Sequence, residues 1–206
     1  MHSIVRQAVD IFFQSIELYH TINSIYPQNQ NPYHSGLQHI LFEKNWIDTI
    51  QWHVEDEIRF PHIDPNDALQ LKRYIDQLNQ KRTNIVEEID DYFMNFFQNY
   101  SIPADIPLNT ESPAWAIDRL SILCLKIYHM EIEVKRVDLP TEKLKFCQSR
   151  LVLLKEQLFD LQESISDLFL DFEKGNKRMK VYRQVKMYND PSLNPVLYQK
   201  KKDEQG

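Results

Sequence analysis

The chain has 206 residues, a hydrophobic fraction of 42% and a formal net charge of −6, which suits one domain with a full apolar core. Its three glycines, Gly36, Gly175 and Gly206, are too few for the glycine-rich turns that cradle dinucleotides and phosphates. No stretch of eighteen uncharged apolar residues is present to span a membrane.

Periodicity and punctuation predict five helices. The first runs from about Ser3 to Ser24 and ends before the turn-rich YPQNQNPYHSG. Asp10, Gln14 and Glu17 break its apolar run and no small-residue cleavage site follows, so no signal peptide is expected. The second covers about Leu37 to Phe60, with Trp46, Ile47, Ile50, Val54 and Ile58 on its apolar face. Asp48, Trp52, Glu55, Asp56 and Arg59 crowd the other side. A tryptophan among charges suits stacking on a ligand ring or a guanidinium, or contact with another helix. His53 and Glu57 stand four apart, a spacing that can hold a divalent metal, but no second histidine-rich helix matches it. No metal site is therefore assigned; Glu55, Asp56 and Asp118 offer oxygens for Mg²⁺ as the alternative.

The third helix starts at Asp64, as N-cap, and Pro65, with Asp67 favouring the dipole, and continues to about Gln98. Leu71, Ile75, Leu78, Ile85 and Ile89 fall within an arc of about 80°, with Arg82 in its middle. Such an arginine either snorkels out or meets a buried carboxylate or bound anion. Lys72, Asp76 and Asn79 form a polar stripe beside it. Pro103 and Pro107 bar helix from the next loop, and Ser112-Pro113 opens the fourth helix, which reaches about Val137. It is apolar on two sides and should be central. Asp118 and His129 share a line with Ile122 and Leu125 and should point inward, with Arg119 and Lys126 beside them. A hydrogen-bonded core histidine is the plainer reading of His129. Ile75-Asp76 faintly echoes Ile117-Asp118, which would make the two aspartates equivalent.

Past Pro140, Leu144, Cys147, Leu151, Leu154, Leu158, Leu161, Ile165, Leu168 and Phe172 alternate spacings of three and four. This is an a/d seam that would run about 50 Å over residues 141–174. It serves either a strut of an antiparallel bundle or a homodimeric coiled coil, and Gly175 should end it. Cys124 and Cys147 sit in apolar helical patterns, so a disulfide is not expected and a cytoplasmic location is.

Residues 174–202 hold nine lysines and arginines against one acid, Asp190, leaving a strongly acidic body. The expected division is a helical bundle over 1–175 and a basic extension over 176–206. Tyr182, Tyr188 and Tyr198 make that extension too apolar for a solvated tail; residues 178–198 should dock on the acidic body and the last residues fray. Nucleic acid is disfavoured as a partner because the acidic body repels phosphate backbones.

At KNWIDTIQWHVEDEIR, LKRYIDQLNQKR, SPAWAIDRLSILCLKIYHM and VYRQVKMYNDPSLNP, across residues 44–195, the chain resembles the domain-of-unknown-function 4254 family. The resemblance implies a bacterial source and no particular activity, cofactor or catalytic residue. The family often has glycine after the Ser/Thr-Pro of the third block; Ala114 and Trp115 stand here, which weakens any glycine-assisted anion site at that point.

The fold expected is all-α: an antiparallel bundle of about five long helices with the C-terminal segment docked on it. The expected site is a charged pocket between the second, third and fourth helices. There Glu55, Asp56, Asp118 and His129 would supply acid–base chemistry. Trp52, Arg59, Asp76, Asn79, Arg82, Arg119 and Lys126 would hold an anionic small molecule, phosphorylated or of the nucleotide-sugar kind. No cofactor is named. The alternative is a non-enzymatic interaction protein that dimerises or docks through the heptad helix and tail.

Overall fold

The computed structural model describes residues 2–22, 24–98, 100, 105–184 and 190–203. They form an all-α bundle: α1 (His2–Ile22), α2 (Gly36–Glu57), α3 (Pro65–Phe97), α4 (Pro113–Lys135), α5 (Thr141–Glu173) and α6 (Pro195–Asp203). No helix among the described residues is long and apolar enough to cross a membrane. Cys124 and Cys147 are both free.

Local chemistry sets the helix ends. The Asp64 carboxylate accepts from the backbone N–H groups of Asn66 and Asp67, at 2.8 and 3.4 Å, which fills two of the orphan donors of α3. Ser112 stands at the α4 N-cap without a side-chain capping bond, and Pro113 at the first helical position favours that start. Gly36 and Gly175 have φ of +75° and +69°, where a Cβ would be strained; Gly175 turns the chain off the end of α5.

α4 packs against α1, α2, α3 and α5 and is the central helix, as its two apolar sides require. α2 is buried nearly as fully: every residue from Lys44 to Ile50 is inside. Over this stretch its second side therefore meets other helices, as one of the two readings of Trp52 expected, while Asp56 and Arg59 near its C-terminus stay exposed.

The heptad seam of α5 is consumed within the chain. Ile165, Leu168 and Phe172 are buried in the core, and Leu158 and Leu161 pack against it. Between residues 141 and 164 no α5 side chain is fully buried, but Leu144, Cys147, Leu151, Leu154, Leu158 and Leu161 are all half-buried. The strut reading accounts for this pattern.

The start of the tail contacts the bundle. Arg178 forms a short parallel bridge with Leu108, Met179 packs on the core, and Arg183 pairs with Glu87 at 3.3 Å and with Asp91. Residues 185–189, within the stretch expected to dock, lie outside the described residues. One element was not foreseen: α6 begins at Pro195, where the Asn194 side chain accepts from Val196 N–H at 3.1 Å. Asn194-Pro195 thus serves as a cap followed by proline at the first helical position.

Candidate functional site

A buried ionic cluster ties α2, α3 and α4 together. Lys44 is fully buried and pairs with Asp48 and, at 2.9 Å, with Asp118. Arg82 donates to both Asp118 oxygens, from Nε at 2.9 Å and Nη2 at 2.6 Å, the bidentate geometry that guanidinium and carboxylate favour. Arg82 Nε also lies 3.2 Å from Asp48 Oδ1, though that oxygen has no hydrogen-bond partner among the described residues. Ser121 donates to Asp48 Oδ2 at 2.6 Å and accepts from Asn45 at 3.0 Å. Two cations and two anions balance, as burial of charge demands. Burial pushes the Asp48 carboxyl up, against Lys44 and Arg82. Burial acts likewise on Asp118, but Lys44 and Arg82 outweigh it and hold that carboxyl below its ordinary value.

Arg82 is the one member of the cluster that reaches solvent appreciably, its side chain 29% exposed. It forms a wall of two cavities. The larger, about 630 Å³, lies between α3, α4 and α5 and is lined by Arg82, Asp118, Arg119, Lys126, Asp160 and Ser164 among others. The smaller, about 250 Å³, lies between α2, α3 and α4, with Asp48, Gln51, Trp52, Glu55, Asp56 and Arg59. Ile122 is shared by both. A third cavity of about 550 Å³ takes in Trp52, Asp56, Lys126 and His129, with apolar walls from Phe146 and Leu154. Arg82 Nη1 takes no acceptor and Lys126 no ion-pair partner among the described residues.

Next to the third cavity, His20, His53 and His129 converge from α1, α2 and α4, with one ring nitrogen of each within 4.8 Å of the others. Trp52 stacks on His129 at 4.8 Å and 4°, so that ring face is already used and not offered to a ligand. Burial first, then His53 and His20, lower His129 to about 4, against Asp56 and Glu133; His53 is also lowered. An imidazole whose folded value lies below its ordinary 6.5 contributes stability above about pH 6.5 and loses it as pH falls toward 4. The urea midpoint of the metal-free protein should therefore drop between pH 7 and pH 5, and His129→Gln should flatten that slope. An equally steep slope in the variant would refute this.

Of the residues expected to act, Trp52, Glu55, Asp56, Arg59, Arg82, Asp118, Arg119, Lys126 and His129 all line these cavities. Asn79 stands one contact behind, accepting from Gln51 at 2.9 Å. Asp76 does not belong: it is an exposed partner of Lys72, so its supposed equivalence with Asp118 fails. Arg59 is held at the mouth by Glu55 and Asp56, and Arg119 by Glu111 at 3.0 Å. The Mg²⁺ alternative fares poorly, because both Asp118 oxygens are occupied by cations.

Lys44, Asn45, Ser121 and His20 were missed. Lys44 had a signal: on a helix, Leu37, Leu41, Lys44 and Asp48 fall within about 60°, which places a lysine in an apolar arc as plainly as Arg82. The histidines had one too. Each follows an aromatic residue, in Tyr19-His20, Trp52-His53 and Tyr128-His129; they stand on three different helices, so the paired-histidine spacing of a single helix is absent.

A family model described as "Protein of unknown function (DUF4254)" matches residues 38–181, spanning nearly all of α2 through α5 and the start of the tail. No curated protein and no solved structure matches the chain.

Proposed function

The chain belongs to the DUF4254 family, and we propose that it binds a small anionic molecule in the cavity between α3, α4 and α5. The observation that carries this reading is Arg82. Its Nε and Nη2 are locked by Asp118 while Nη1 has no partner among the described residues and stands at the wall of two cavities. A guanidinium fixed on one edge and free on the other is preorganised for an oxyanion. Lys126, which has no ion-pair partner among the described residues, lies on the same wall, and Arg119 joins them. A phosphorylated metabolite or nucleotide sugar fits this chemistry. The neighbouring cavity with Trp52, Phe146 and Leu154 gives its apolar part a place to lie.

In this reading Asp118 positions Arg82 and transfers no proton, since both its oxygens are engaged and its carboxyl is held ionised. Glu55 and Asp56, open to solvent at the smaller cavity, remain the acid–base pair should the bound molecule react. We place the protein in a bacterial cytoplasm on the same footing.

Pyrophosphate is the probe. Calorimetric titration at low salt should show one saturable site on the full chain, weakened about 10–100-fold in Arg82→Gln, the worth of one charge-assisted hydrogen bond. Lys126→Ala, at an exposed position that leaves the fold intact, should weaken it about 10-fold. Equal affinity in both variants would overturn the reading.

Self-association is the second reading. Val152 and Phe159, one heptad apart on α5, are 67% and 64% exposed. Light scattering should then show a dimer that Val152→Glu with Phe159→Glu makes monomeric; a wild-type monomer excludes it.

A further inference from the structure

Each of the three clustered histidines is oriented by an aromatic from a neighbouring helix. Tyr19 of α1 stacks on His53 of α2, at 5.1 Å and 14°. Trp52 of α2 stacks on His129 of α4, at 4.8 Å and 4°. Tyr128 of α4 leans on His20 of α1, at 4.5 Å and 37°. The aromatic that precedes each histidine in sequence thus packs on the histidine of the next helix, and the three contacts close a ring. Rotation of any imidazole would break one of them.

The nitrogens are set as well as the ring planes. His20 Nδ1 lies 2.7 Å from the carbonyl oxygen of Ile16. That oxygen can only accept, so Nδ1 holds a proton, and in the neutral ring Nε2 is then bare. A backbone carbonyl on the far nitrogen is the usual way a metal-binding histidine is fixed in the ligating tautomer. His20 Nε2 lies 3.2 Å from His53 Nε2, a hydrogen bond between the two rings that a bound ion would replace. Two nitrogens bound tetrahedrally to zinc, each about 2.0–2.1 Å from it, lie about 3.3–3.4 Å apart. His129 Nε2 is buried and has no hydrogen-bond partner among the described residues, a cost that buried polar groups seldom bear without a ligand or water to satisfy them.

We propose that His20, His53 and His129 bind one divalent transition-metal ion, zinc suiting three imidazole nitrogens. Three protein ligands leave the fourth tetrahedral position to water. Asp56 lies close enough to act electrostatically on both His53 and His129 and offsets part of the added charge. With no oxygen donor among the three, Mg²⁺ and Ca²⁺ are the wrong ions. The site draws one ligand from α1, which lies outside residues 38–181 matched by the family model. It stands independently of the anion cavity.

The test uses the full chain, stripped with a chelator and titrated with Zn²⁺ near pH 7.5. One equivalent should bind with sub-micromolar Kd, and Mg²⁺ should give no saturable heat. His20→Ala, His53→Ala and His129→Ala should each weaken binding by at least about 100-fold, beyond the ~10–100-fold typical of outer-sphere changes, with helicity by circular dichroism as the fold control. His34→Ala and His62→Ala, at exposed positions, should leave it unchanged. The wild-type Co²⁺ derivative needs no variant: it should show the intense visible absorption of four-coordinate cobalt with nitrogen ligands. Absence of saturable Zn²⁺ binding, a six-coordinate cobalt spectrum, or binding lost only through His34 or His62 would each overturn the proposal.

Discussion

Lys44→Ala is expected to destabilise the protein by about 3–5 kcal/mol, the scale of breaking a buried ion pair from one side. The ammonium is wholly enclosed, paired with Asp48 and Asp118. Its removal leaves three charges where four balanced, and Asp48, the most deeply buried of them, loses its nearest cation. The same physics predicts a rescue. Lys44→Met with Asp48→Leu removes one charge of each sign and leaves the Arg82–Asp118 pair intact, so most of the loss should be recovered, since a well-packed apolar pair often equals a buried ionic one. Urea titration followed by tryptophan fluorescence reads both. A loss below about 1 kcal/mol in the single variant would mean that Lys44 is not buried as described.

Phe169→Ala is the second large effect, expected at about 3–5 kcal/mol. The ring is fully buried and lies 4.9 Å from Phe93 and 5.9 Å from Phe97 by centroid. It sits in the C-terminal half of α5, where all the fully buried residues of that helix are found. That half anchors the strut. The stretch before it carries Gln157, Asp160, Leu161 and Ser164, one wall of the proposed anion cavity. Loosening the anchor should therefore weaken pyrophosphate binding as well as stability, although no anion touches Phe169. Leu69→Ala, on an exposed site of α3, should change stability by no more than about 0.5 kcal/mol; a similar loss there would mean the unfolding signal does not report this core.

The helices were legible because their signals are local. Asp64-Pro65 and Ser112-Pro113 mark starts, Gly175 marks an end, and the period of the α5 seam survives in the burial of its side chains. Arg82 in an apolar arc left snorkelling, a bound anion or a buried carboxylate open, and Asp118 is the carboxylate it meets. The remainder depends on which helix faces which. α2 is apolar on one side by sequence, but α1, α3 and α4 all pack against it, so its middle, Lys44 to Ile50, is interior all round and Lys44 is enclosed. Asp76 and Asp118 share a local motif and differ because one faces water and the other faces α2 and α3. The histidine cluster needs three helices to be brought together before it exists at all.

A crystal structure of the full chain grown with pyrophosphate tests the central claim most directly, that Arg82 is held by buried carboxylates in order to present its free edge to an anion. The expected density places phosphate oxygens about 2.7–3.0 Å from Arg82 Nη1, with Lys126 turned toward them and the Arg82–Asp118 pair unchanged. Pyrophosphate seated elsewhere on the surface, with Arg82 bonded only to Asp118, would contradict it.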